Sequence, residues 1–297
     1  MTRVKFKMKN KSYFQKILVP VDGSNICLNA EELAAAIAKN FKSKVTVIHA
    51  VPNKLVHPEL RKRALRYPVP FTSVRSEISN WFSEAGKKIV GEAEALFKED
   101  GIEVDAKFME HEDPAEAILR LIKDDDYDIV VIGNRGETEV ETFSLGSVAE
   151  KVSRHAECPV LIVKERTKIS KVLVGVDGSE NAEKALEHAV ELAKKHQAEI
   201  TLLNVEESIL LSLKPKVAKE IGESILYSAK AKVRGIRVDT RLKFGNPAET
   251  IIEVAEKENY DIIVVGSKGL SKVKRFFLGS VSDDVSHHAH GSVLIVK

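Results

Sequence analysis

Short apolar runs alternate along this chain with stretches whose apolar residues recur every three or four positions. Residues 17–22 form one such run, closed by Asp22, and 45–51, 129–132 and 160–163 form others. A run without polar alternation is the pattern of a strand buried on both faces. Between the runs, Ala30, Leu33, Ala34, Ile37 and Phe41 fall on one helical stripe, as do Ala117, Ile118, Leu121 and Ile122 after Pro114. Val104, Ala106 and Phe108 alternate with polar residues, which predicts an edge strand. The succession returns with strands at 172–177, 200–205, 262–265 and 293–296, and an edge strand on Val238, Thr240 and Leu242. Its helices fall on Ala182, Ala185, Leu186, Ala189 and Ala193, and from Pro247 onward. The pattern predicts an α/β fold of two tandem doubly wound domains, each with a five-stranded, mainly parallel sheet flanked by helices.

The two halves repeat residue by residue. Lys-Ile-Leu-Val-Pro-Val-Asp-Gly-Ser at 16–24 returns as Lys-Val-Leu-Val-Gly-Val-Asp-Gly-Ser at 171–179, and the apolar strand closing the first half at 160–163 returns at 293–296. So long a period means domain duplication, not a solenoid. Residues 1–15 then read as a basic leader, 16–164 as the first domain, 165–170 as a short charged linker and 171–297 as the second domain. The halves differ after their second strands. The first carries a long connection with Arg61, Lys62, Arg63, Arg66 and Arg75, residues that suit a solvated helix face, a lid or a partner contact.

Charge narrows the function. With 46 basic against 44 acidic residues the formal net charge is +2, not the footprint of a general nucleic-acid binder. Cys27 and Cys158 sit in no CxxC or Cys/His cluster, so they read as packing residues and no metal site is expected. No apolar run is long enough to span a bilayer, and no signal-peptide core follows the leader. The expectation is a cytoplasmic protein without a membrane or nucleic-acid partner.

The chemistry is carried by a loop after the fourth strand of each half. Gly133 and Gly136 are followed, nine residues on, by Gly146 and Ser147; Gly266 and Gly269 are followed at the same spacing by Gly279 and Ser280. Both fit G-x2-G-x9-G-S. Glycine there permits close backbone approach or positive φ, and Gly-Ser opens a helix whose free amides and dipole favour an anion. Tight turns alone would also use glycine, and Asp22 and Asp177, before Gly-Ser, could simply cap helices.

Together the Val-Asp-Gly-Ser strand ending, the G-x2-G-x9-G-S loop and the closing Val-Leu-Ile-Val strand resemble the universal stress protein family in its tandem form. The resemblance implies a site for ATP or AMP, formed in the second half by Asp177, Val205, Gly266, Gly269, Gly279, Ser280 and Val281. In the first half it implies Asp22, Ala50, Gly133, Gly136, Gly146, Ser147 and Val148. Mg2+ or Mn2+ could accompany a polyphosphate. Similar terminal strands make dimer contacts in the family, which implies an internal pseudo-dimer here and a homodimer of chains.

The nine-residue spacers differ in charge: Lys272, Lys274 and Arg275 in the second half, Glu137, Glu139 and Glu141 in the first. At about 8 Å and an effective dielectric of about 40, each like charge costs on the order of 1 kcal/mol, and salt reduces this. The second site is therefore expected to be the stronger. His287, His288 and His290 read as a surface helix end, His49 as a packed core histidine and Trp81 as a packing anchor. A nucleotide-responsive stress-response module is the leading reading. A slow ATPase or phosphotransferase, and an adaptor with vestigial sites, stay open; no Walker lysine motif supports the enzyme and no catalytic residue is assigned.

Overall fold

The structure, a computed structural model, describes residues 13–52, 71–110, 112–136, 145–165, 168–207, 212, 214–269 and 278–297, with backbone only at 71–79. The first half runs β1 (Lys16–Pro20), α1 (Asn25–Phe41), β2 (Lys44–Val51), α2 (Phe71–Glu99), β3 (Val104–Glu110), α3 (Pro114–Asp124), β4 (Ile129–Gly133), α4 (Ser147–His155) and β5 (Val160–Val163). The second runs β6 (Lys171–Gly175), α5 (Glu180–His196), β7 (Glu199–Glu206), α6 (Pro215–Lys232), β8 (Val238–Phe244), α7 (Pro247–Lys257), β9 (Ile262–Gly266), α8 (Ser280–His288) and β10 (Ser292–Val296).

The strands form one ten-stranded sheet in the order β3-β2-β1-β4-β5-β10-β9-β6-β7-β8. Among the described residues every pairing within a half is parallel, and the one antiparallel pairing sets Val293, Leu294 and Ile295 against Ile162, Leu161 and Val160. β3 and β8 are the outer strands, as their alternating pattern predicts. Alternate residues of the inner strands feed two cores. Ile17, Val19, Leu161 and Leu294 pack with α1, α2, α5 and α6 on one face; Leu18, Ile162 and Ile295 pack with α3, α4, α7 and α8 on the other. Each core runs across both halves.

Helix starts follow the residues. The side chains of Ser24 and Ser179 accept amides in the first turns of α1 and α5. Asp113 and Asn246 do the same for α3 and α7, ahead of a proline at the first helical position. Tyr13, Phe14 and Gln15, which the sequence reading assigned to the leader, pack on the body. Phe14 is fully buried against Phe41 and His188, and Tyr13 donates to Glu187 of the second half at 2.9 Å.

Candidate functional site

In each half β1 (or β6) lies between β2 (β7) and β4 (β9), and the chain winds away in both directions from that point. The crevice over the carboxyl ends of these strands is where ligands of doubly wound sheets sit. Beyond β1 the chain turns sharply. Asp22 Oδ1 accepts the Ser24 amide at 2.9 Å, with Gly23 at φ 82°; Asp177 and Ser179 repeat the 2.9 Å bond, with Gly178 at φ 81°. Both aspartates therefore build the turn that launches a helix. Their other oxygens lie under the glycine loops. A Cβ on Gly136 would stand 2.6 Å from Asp22 Oδ2, and one on Gly269 would stand 2.7 Å from Asp177 Oδ2.

Of the two reasons for glycine in these loops, close approach and positive φ, the structure shows the first. None of the six loop glycines has positive φ; close approach accounts for glycine at Gly136, Gly266 and Gly269. A Cβ on Gly266 would stand 2.7 Å from the Asn181 carbonyl carbon, so glycine lets α5 seat against the end of β9. Nor are the Gly146 and Gly279 amides presented to a ligand: they donate to Asn134 O and Ser267 O, each at 2.8 Å, and close the loop. The helices behind the loops begin without a side-chain cap. α4 and α8 start on glycine N-caps with no side-chain hydrogen bond, unlike α1, α3, α5 and α7. First-turn amides lack intrahelical acceptors, so an uncapped start carries partial positive charge toward an anion.

In the first half these parts surround a cavity of about 370 Å3, at the lower end of the roughly 300–1,000 Å3 usual for small-ligand sites. Asp22, Ala50, Gly133, Gly136, Gly146, Ser147 and Val148 all line it. The structure adds residues that sequence reasoning missed. Arg135, inside the glycine loop, lines the cavity, and its buried Nε has no hydrogen-bond partner among the described residues. His49 is a wall residue instead of a core one: half-buried, with Nδ1 2.7 Å from Val21 O and its ring stacked on Phe108 at 6.0 Å. Trp81, expected as a packing anchor, stands at the cavity 64% exposed. One signal for this wall was available: glycine recurs within α2 and α6, at Gly86 and Gly222. A Cβ would meet Phe108 at 2.3 Å in the first and Leu242 at 2.3 Å in the second, so both helices press on their sheets beside the site.

The second half shows the same floor. Asp177, Gly266 and Gly269 hold the positions of their counterparts, Ser280 and Val281 open α8, and Val205 is the last but one residue of β7 as Ala50 is of β2. Asn204 stands for His49 and donates to Val176 O at 2.9 Å. The lip differs. Glu206 and Glu207 follow Val205, where the first half has Val51 and Pro52. Burial raises the Glu206 carboxyl above its ordinary range, opposed by a hydrogen bond from Asn204. Lys272, Lys274, Arg275, Glu137, Glu139 and Glu141, on which the ranking of the two sites was based, lie outside the described residues, as do Arg61, Lys62, Arg63, Arg66 and the side chain of Arg75.

The family model described as the Universal stress protein family matches residues 13–164 and again 168–297. The chain belongs to the universal stress protein family. Its second-to-first-half repeat is thus two family domains in tandem. Among curated relatives, Universal stress protein YxiE of Bacillus subtilis is 37% identical over 147 residues, 43% of this chain and 99% of its own length. Universal stress protein MJ0531 of Methanocaldococcus jannaschii is 31% identical over 163 residues, 53% of this chain and 86% of its own. A crystal structure of a universal stress protein from Archaeoglobus fulgidus shares the fold over 96% of this chain and 98% of its own, with a TM-score of 0.68 at 23% identity.

In this universal stress protein the seam between halves lies directly behind both glycine loops. Lys164 and Lys297, which follow β5 and β10, are buried or nearly so and cross the seam. Lys164 Nζ donates to Ala289 O, and Lys297 Nζ to Ser153 O at 2.5 Å. Burial pushes both ammonium groups down to about 8, with Arg135 adding to the shift of Lys164 and Lys268 to that of Lys297. Cys27 and Cys158 are buried free thiols, their ionisation pushed up by burial. His287 and His288 bond back to their own helix at Asp283 O and Asp284 O, and His290 lies 3.2 Å from Glu256. No helix among the described residues is long and apolar enough to cross a membrane.

Proposed function

We propose that this protein is a nucleotide-responsive stress-response module that binds an adenine nucleotide, ATP or AMP, in the crevice of each half. The observation that carries the reading is the first-half cavity. It joins a helix start without a side-chain cap, and Arg135, whose buried Nε has no hydrogen-bond partner among the described residues, on its β4 side to a largely apolar wall on its β2 side. An anion attached to a flat apolar group suits that combination. Any Mg2+ or Mn2+ would arrive with the polyphosphate, since no group of three His, Cys, Asp or Glu side chains among the described residues could hold one.

The cavity also bears on the first half, whose site is expected from sequence to be the weaker of the two. Arg135 lines this cavity, and Lys268 holds the matching position in the second glycine loop, so each loop carries a cation of its own. The proposal therefore gives the first half a working site alongside the second. Isothermal titration of the full chain with ATP and AMP tests it. Binding of one or both is expected, and Arg135→Ala should weaken ATP in the first site about tenfold, more than AMP, because the lost partner is a charge on a polyphosphate. The absence of binding heat with either nucleotide across temperatures would remove the proposal.

A further inference from the structure

The chain has one tryptophan, Trp81, and its placement is unusual for a residue in the middle of a long helix. It lines the first-half cavity yet remains 64% exposed. Large aromatic side chains are usually buried, and one left open beside a cavity is a contact surface awaiting a ligand. Its neighbour Phe82 meets it edge to face at 4.9 Å and lines the same wall.

The topology says which part of a ligand would reach that wall. β2 and β4 flank β1 on opposite sides. The anion-favouring groups, Arg135 and the start of α4, lie on the β4 side. His49, Ala50 and Val51 belong to β2, and α2 packs on β2 and β3 through Gly86, whose missing Cβ leaves room for Phe108 and His49. A nucleotide with its phosphates toward α4 therefore has its base directed toward α2. We infer that Trp81 stacks on the purine ring of a nucleotide in the first-half site and sets that site's preference for a base over a bare sugar phosphate. This rests on the nucleotide reading above. The second half lacks the device. Five residues before the matching glycine, Gly222, α6 carries Val217, which offers no ring.

Because Trp81 is the sole tryptophan, its emission reports this position alone in the full-length protein. AMP and ATP are expected to quench it saturably, and ribose 5-phosphate is expected to leave it unchanged. Calorimetry should show Trp81→Leu weakening purine nucleotide in one of the two sites about tenfold, with Trp81→Phe retaining most of the affinity. The open position of Trp81 means neither change should disturb folding, which circular dichroism checks. If AMP or ATP binds by calorimetry while emission stays constant and Trp81→Leu binds as tightly as the parent, the stacking role is overturned and the nucleotide reading stands. If neither nucleotide binds the parent protein, both fall together.

Discussion

Glu31 lies on the inner side of α1 only 3% exposed, where the second half has Leu186 at the same distance from its capping serine. Burial, then the nearby charges of Asp22, Glu92 and Glu32, push its carboxyl up to about 7. A folded-state value above the unfolded one means the native protein holds more protons between pH 4.5 and 7. Stability therefore falls as pH rises through that window, and the full penalty, roughly 3 kcal/mol at most, applies above it. Glu31→Leu should raise the melting temperature by several degrees at pH 8 and by much less at pH 5; an increment independent of pH would contradict this. No periodicity signals such a residue, because a charged side chain on an otherwise apolar stripe is read as the stripe's edge. The glycine loop, by contrast, was legible as a pattern: at Gly266 a Cβ would run into the backbone of α5, and at Gly136 and Gly269 into the aspartate carboxylates beneath. Its reason was not: the neighbours are Asp22, Asp177 and a helix start, and the Gly146 and Gly279 amides are already bonded.

Among the elements, α2 forms one wall of the first-half site and could be placed in the sequence only loosely. Its side chains over 80–99 are largely exposed or half-buried, with Val90, Ala93 and Phe97 as the buried stripe, so the apolar signal is thin. Two glycines in it make opposite predictions. Gly91 has nothing within 4 Å of a Cβ, and Gly91→Ala should stabilise by about 1 kcal/mol through helix propensity. At Gly86 a Cβ would meet Phe108 at 2.3 Å and His49 at 2.9 Å, so Gly86→Ala should destabilise by about 1–3 kcal/mol as the helix shifts off the sheet. Urea unfolding of both variants checks the pair; equal effects would mean that α2 is not held against β2 and β3. The parallel strands were easy to read because burial on both faces demands continuous apolar runs.

The whole molecule is organised by one antiparallel pairing. Val160, Leu161, Ile162, Val293, Leu294 and Ile295 are all fully buried at the seam. Each such side chain contributes about 1.5–3 kcal/mol on burial, whereas a part-exposed ion pair such as Arg154–Asp283 at 3.2 Å contributes about 0–1 kcal/mol. The apolar strands, not the charges, join the halves. That the closing strands would join the halves was implied by the family resemblance; that Lys164 and Lys297 would cross the seam between them depended on how the halves face each other. The central claim is that the crevices over the sheet hold adenine nucleotide. Native mass spectrometry of the full chain in the presence of AMP or ATP tests it most directly. Adducts of one and then two nucleotides per chain are expected, lost when the protein is denatured. A mass that stays at that of the bare chain at every nucleotide concentration would contradict it.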